Sequence, residues 1–251
     1  MTIQYLERKD LPRLAYCYRA GAVAGLPTVM FLSGYRSDMT GTKAMYLEEQ
    51  CRLRGQGFVR FDYSGHGASE GKFEDGTIGI WKEDARAILD DVAQGKVALV
   101  GSSMGGWIAL LLALEHSERL AGLIGIAAAP DFTRTMHDDI LNDAQRRELD
   151  VRGVLRIPND YSNEPYLITK ALIVDGEQHC LLDRTHIFSA PIRLVQGMMD
   201  NDVPWQTAYR IKNVIKEGDV KVLLVQSGNH RLSRAEDLAL IDAQVREISG
   251  L

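Results

Sequence analysis

Short runs of β-branched and aliphatic residues alternate along the chain with longer stretches whose apolar positions recur at helical spacing. Thr28-Val29-Met30-Phe31-Leu32, Phe58-Val59-Arg60-Phe61-Asp62, Lys96-Val97-Ala98-Leu99-Val100-Gly101, residues 120–128, Pro191-Ile192-Arg193-Leu194-Val195 and residues 220–225 read as strands. Their nearly continuous apolar character is that of strands covered on both faces. Residues 41–54, 77–93, 104–116, 205–217 and 235–248 read as helices. The first ends at Gly55 and Gly57, and the second is entered through Thr77. The first twenty residues read as two short strands around a turn at Asp10-Leu11-Pro12. Strands alternating with helices predict an α/β fold with a mostly parallel central sheet flanked by helices.

The alternation breaks after the sixth strand in chain order, residues 120–128. Residues 131–188 are richer in charge and turn residues, among them Asp138-Asp139, Arg146-Arg147 and Pro158-Asn159-Asp160. We read this stretch as a lid insertion within a single domain spanning 1–251, covering one edge of the sheet. Its apolar residues Ile140, Leu141, Leu155, Ile157, Tyr161, Tyr166, Leu167, Ile168, Leu172 and Ile173 are candidate walls for an apolar substrate group, and many must also anchor the insertion.

Composition narrows the class. A chain of 251 residues, 45% hydrophobic and 25% charged, has the balance of a globular protein with a sizeable core. A net charge of −5 gives no basic nucleic-acid footprint. No apolar run reaches the ~18 residues of a membrane span. The first ten residues are polar and charged where a secretory signal is apolar. Cys17, Cys51 and Cys180 are odd in number and show no CxxC spacing, so reduced thiols are expected. Together these predict a cytoplasmic protein.

Gly101-Ser102-Ser103-Met104-Gly105 matches G-x-S-x-G at the junction of a buried strand and an apolar helix. A nucleophile elbow needs that junction: the turn lifts the serine hydroxyl above the sheet, and helix amides behind it favour an anion. A helix N-cap serine after a glycine turn is the structural alternative for Ser103. Asp62-Tyr63-Ser64-Gly65-His66-Gly67-Ala68-Ser69 resembles the D-x-x-G-x-G-x-S turn that follows an early core strand in the α/β-hydrolase superfamily. With the elbow, it makes the whole chain resemble a serine hydrolase of that superfamily. Phe31-Leu32-Ser33-Gly34-Tyr35, Gly41-Thr42-Lys43-Ala44, Arg60-Phe61-Asp62-Tyr63-Ser64-Gly65, Gly101 to Trp107 and His179-Cys180-Leu181-Leu182 resemble one branch more closely, the mitochondrial acyl-protein thioesterases and acyl-glucuronide esterases.

That resemblance implies an α/β-hydrolase fold and a Ser–acid–His order. Of six histidines, only His230, in Ser227-Gly228-Asn229-His230, follows the last strand, which makes it the expected general base. A solvent-exposed loop histidine is the alternative. Gly197-Met198-Met199-Asp200-Asn201-Asp202-Val203-Pro204 resembles the superfamily's G-x-x-D-x-x-V-P, which selects Asp200, with Asp202 as the alternative acid. The oxyanion donors implied are the backbone N–H groups of Met104 and Tyr35. The family usually has His-Gly-x where this chain has Ser33-Gly34-Tyr35.

No G-x-x-x-x-G-K-[ST] loop is present, and His179-Cys180 with His186 lacks the ligand spacing of a metal site. The resulting expectation is a serine hydrolase without cofactor or metal. It would cleave thioester or ester bonds, in a small molecule or an S-acylated protein, through an acyl-enzyme. Two alternatives remain at this point: a non-catalytic protein of the same fold that binds an acyl ligand or partner, and a carbon–carbon bond or lactone hydrolase using the same three residues.

Overall fold

A computed structural model describes residues 1–157 and 166–251. In chain order the elements are β1 (Gln4–Arg8), β2 (Leu11–Arg19), β3 (Thr28–Leu32), α1 (Thr42–Leu53), β4 (Phe58–Phe61), α2 (Ile78–Asp91), β5 (Val97–Ser102), α3 (Met104–Glu115) and β6 (Leu120–Ile126). The segment between β6 and the next core strand holds α4 (Phe132–Thr135), a π-helical turn (Met136–Ile140), α5 (Asp143–Arg152), β7 (Val154–Ile157), β8 (Tyr166–Thr169), α6 (Lys170–Gln178) and β9 (His186–Ile187). The chain closes with β10 (Ile192–Gly197), α7 (Gln206–Val214), β11 (Ile215–Lys216), β12 (Val220–Val225) and α8 (Ala235–Ile248).

Eight strands form one sheet in the order β1-β2-β4-β3-β5-β6-β10-β12. Only β1–β2 and β2–β4 pair antiparallel, and every other pair is parallel. Of the strands read as continuously apolar, β3, β4, β5 and β10 are buried at every position, whereas β12 forms an edge of the sheet and is only partly covered. This is the mostly parallel α/β sheet that the alternation predicts, in keeping with the α/β-hydrolase fold that the resemblance implies. Apolar side chains fill both faces of the sheet. Trp81, Trp107 and Ile88 lie in the cluster on one side, and Leu47, Ile241 and Val245 in the cluster on the other.

Local chemistry accounts for most boundaries. The Thr77 hydroxyl accepts from the Ile80 N–H and starts α2. Asp62, expected at the end of β4, turns its carboxylate inward to accept from Met39 N–H (2.7 Å) and Ala68 N–H (2.8 Å). The Ser69 hydroxyl donates to the Asp62 carbonyl. The D-x-x-G-x-G-x-S stretch is therefore an architectural turn. Helix α7 stops at Val214 rather than at residue 217, because Ile215 and Lys216 pair with β9.

The described part of the 131–188 segment is tied to the loop after β3, to the first turns of α2 and α3, and, through β9, to β11. The Tyr35 hydroxyl donates to the Leu167 carbonyl, Trp107 Nε1 to the His179 carbonyl, and Gly79 N–H to Asp175. Several of the candidate wall residues instead form a small core of the segment's own: Leu141 and Leu155 pack with Leu149, flanked by Ile157 and Ile173. Tyr161 and the turn at 158–160 lie outside the described residues, as does the Tyr166 side chain.

Around residue 103 backbone meets backbone. A Cβ on Gly101 would overlap the Gly105 carbonyl, and one on Gly105 would overlap the Leu32 and Ser33 carbonyls. Gly105→Ala is expected to lower the unfolding free energy by about 1–3 kcal/mol. Urea denaturation checks this, and an unchanged midpoint would show that the strand–helix contact can relax.

Candidate active site

Strand β5 ends at Ser102 and α3 begins at Met104, so one residue must reverse the chain between them. Ser103 does so at φ 54°, ψ −118°, a region L residues rarely occupy. The surroundings hold it there. Ser103 N–H donates to the Ile126 carbonyl at the end of β6, and the Ser103 carbonyl accepts from Ala129 N–H and Gly106 N–H. Its side chain makes no N-cap bond to α3. The N-cap alternative for Ser103 is therefore not the geometry found.

The hydroxyl instead meets His230, whose Nε2 lies 3.2 Å from Ser103 Oγ. On the other side of the ring, Nδ1 lies 2.9 Å from Asp200 Oδ2. An ionised carboxylate only accepts, so Nδ1 carries the proton and Nε2 presents its lone pair to the serine hydroxyl. Burial works to raise the Asp200 pKa. The hydrogen bond and charge of His230, with the Val203 and Asp202 amides, outweigh that and leave it below the usual value. Residues 127 positions apart are thus joined in one hydrogen-bonded line. The Nδ1 hydrogen bond goes to Asp200, while Asp202 contributes its main-chain N–H to Asp200 Oδ1 (2.9 Å).

One residue of this arrangement escaped the sequence reading. Gln196, buried within β10, donates from Nε2 to Asp200 Oδ2 (2.9 Å) and to the Val203 carbonyl (3.1 Å). An amide at the end of a buried strand, three residues after the strand's other polar side chain, Arg193, was the available signal.

Met104 N–H, in the first turn of α3, has no hydrogen-bond partner among the described residues, as expected of a helix's first amides. The loop after β3 runs alongside: a Cβ on Gly34 would sit 3.4 Å from Ser103 Cβ. The next residue, Tyr35, packs its ring edge-on against Phe73, Trp81 and Phe132 (centroids 5.0, 5.8 and 5.7 Å).

Among the described residues, one group of metal-ligating side chains converges, Asp200, Asp202 and His230, with ligand atoms within 4.8 Å. Two of these already share the Nδ1 proton, which a metal would have to displace. His179 and His186 do not converge with Cys180. His179 faces Asp175, and His186 Nε2 meets the Leu181 carbonyl.

The fold is that of an α/β-hydrolase. Residues 27–163, over half the chain, match the family described as "Serine aminopeptidase, S33". The curated mouse protein "Palmitoyl-protein thioesterase ABHD10, mitochondrial" is 38% identical over 98% of this chain and 82% of its own length. Its human counterpart is 39% identical over 96% and 78%. Among solved structures, a protein of Agrobacterium vitis S4 described as a hydrolase superposes with TM-score 0.94 at 40% identity, covering 99% of this chain and all of that one. Mouse α/β hydrolase domain-containing protein 10 gives TM-score 0.90 at 38% identity, over 99% and 98%. The chain belongs to the ABHD10 family of α/β-hydrolases and is an enzyme with hydrolase activity.

The expectation of a cytoplasmic protein is corrected here, because the curated relatives are mitochondrial and point to that compartment instead. Polar first residues and three unpaired thiols do not distinguish one reducing compartment from another.

His66, in the Asp62–Ser69 turn, lies apart from this line. It is packed edge-on against Tyr63, Phe73 and Trp81, with Nδ1 donating to the Ser64 carbonyl. Burial pulls its pKa from 6.5 down to about 4, with the Ser64 carbonyl opposing. Between those values the unfolded chain holds a proton here that the folded chain does not, so stability falls as pH drops through that window. The urea midpoint of wild type is expected to lose more between pH 6.5 and pH 4 than that of His66→Phe. Equal slopes would remove His66 as the source.

Proposed function

We propose that the protein hydrolyses S-acyl thioesters and related esters through an acyl-enzyme on Ser103. The observation that carries this reading is the continuous line from the Ser103 hydroxyl through His230 to Asp200. Its support in substrate class is the kinship to proteins named palmitoyl-protein thioesterases.

Ser103 Oγ attacks the carbonyl carbon while its proton passes to His230 Nε2. The carbonyl oxygen gains the negative charge and is received by the Met104 and Tyr35 N–H groups. As the intermediate collapses, the carbon–sulfur or carbon–oxygen bond breaks, and His230 returns its proton to the leaving thiolate or alkoxide. Water, deprotonated by the same imidazole, then attacks the acyl-serine, releasing the carboxylic acid and restoring the hydroxyl. Asp200 stays ionised throughout, fixing the tautomer and stabilising the imidazolium. Gln196 holds the carboxylate in place for that task.

Ser103→Ala should reduce kcat about 10⁶-fold, and Asp200→Asn about 10³–10⁴-fold, with the fold intact by circular dichroism. Labelling by a fluorophosphonate followed by mass spectrometry should place the adduct on Ser103. Unchanged turnover of the alanine variant would overturn the assignment.

Residues 131–188 act in this reading as a lid within one domain, latched by the Tyr35 hydroxyl to the Leu167 carbonyl at 2.5 Å. Tyr35→Phe keeps the main-chain donor and removes the latch. It should change the kcat/KM ratio of palmitoyl to acetyl thioesters by about threefold or more, the worth of one neutral hydrogen bond. An identical chain-length profile would show that the segment takes no part in selecting the acyl group.

A further inference from the structure

The stretch Gly41-Thr42-Lys43-Ala44 has no part in the reaction just described. Its lysine occupies the first turn of α1, where the aligned peptide dipoles disfavour a cation. A compensating contact is therefore to be expected, and the structure supplies one at long range. Lys43 Nζ donates to the main-chain carbonyl of Arg231 at 2.5 Å, across 188 positions of sequence. That carbonyl belongs to the residue immediately after His230.

The loop carrying His230 needs such fixing. Its imidazole is still 19% exposed, so packing alone does not orient it, yet it must meet Ser103 and Asp200 at once. The main chain does the orienting. Met199 N–H donates to the Gly228 carbonyl and ties the loop to the Asp200 segment. Asn229 Oδ1 accepts from Arg231 N–H (3.1 Å) and Leu232 N–H (3.3 Å). Leu232 is fully buried at φ 44°, a strained backbone that persists only when its surroundings hold it. The Lys43 contact adds a further pin, from α1, between the imidazole and this strained residue.

We propose that Lys43 is a positioning residue for His230, its ammonium clamping the Arg231 carbonyl so that the imidazole spans Ser103 and Asp200. This rests on the reading of His230 as the general base. Misplacement of a catalytic group by about 1 Å costs ~100-fold in rate, so a partial loosening of the loop is felt in kcat rather than in substrate binding.

Two charges face the amine: Arg231 from the loop, and Asp237 from the first turn of α8, which is also paired with Arg234 (2.7 Å). Burial, then the Arg231 charge, pull the Lys43 pKa down to about 8, with Asp237 opposing. The amine is charged and grips the carbonyl most strongly below that pH, and loses its charge above it. An alkaline decline in kcat near pH 8 follows, and an arginine at this position, which keeps its charge, should remove it.

The test compares wild type, Lys43→Met, Lys43→Arg and His230→Ala by thioester hydrolysis, fluorophosphonate labelling of Ser103 and thermal unfolding. Lys43→Met is expected to lose about tenfold in kcat and in labelling rate, with KM within about twofold. Lys43→Arg should recover most of that loss and lack the alkaline decline. Wild-type kcat and labelling in Lys43→Met would overturn the proposal. So would a joint loss of melting temperature and activity that arginine does not restore. Rapid labelling of His230→Ala would instead overturn the base reading on which the proposal stands, so the two failures are distinguishable.

Discussion

The contact on which the site depends is the approach of α3 to the ends of β3 and β5 at Ser103. A serine at φ 54° between a strand and a helix is strained by about 1–3 kcal/mol, and its side chain makes no capping bond to the helix that would offset this. The compensation comes from main-chain bonds to Ile126, Gly106 and Ala129, and from two glycines that let the helix start against the Leu32 and Ser33 carbonyls. This packing keeps the hydroxyl out of the helix cap, presents it to His230, and leaves the Met104 amide without a partner among the described residues. The presented hydroxyl and the open amide beside it are thus two consequences of one turn.

The other side of the site is built by β10 and β12, neighbours in the sheet although separate in sequence. Asp200 follows the first and His230 the second, so parallel pairing delivers both to the same end of the sheet. Gln196, inside β10, then fixes the carboxylate that fixes the imidazole. Each polar group is held by another one step further from the substrate, and the outermost are main-chain amides. Buried networks of this kind are costly when incomplete, and here each Asp200 oxygen has two partners.

The 131–188 segment joins this scaffold through polar contacts as well as packing. Phe132 rests edge-on against both Tyr35 and Trp107, while Trp107 and Asp175 hold the region around α6 to the core. Tyr35 thereby links the loop beside Ser103 to the segment above it. The segment's own small core, around Leu141, Leu149 and Leu155, takes up several of its apolar residues.

The sequence by itself determined the sheet, the helices and the elbow. Buried parallel strands demand unbroken apolar runs, and a strand–helix reversal demands glycine where backbones touch. Both constraints act on residues adjacent in the chain, so both are written in local pattern. His230 was also legible, as the one histidine after the last strand. Tertiary structure decided which of Asp200 and Asp202, two residues apart in one loop, hydrogen-bonds the imidazole, because that depends on the placement of β10 beside β12. It decided as well what Lys43 touches and where the 131–188 segment is tied. Those contacts join residues 72 to 188 positions apart, and local periodicity carries no record of such distances.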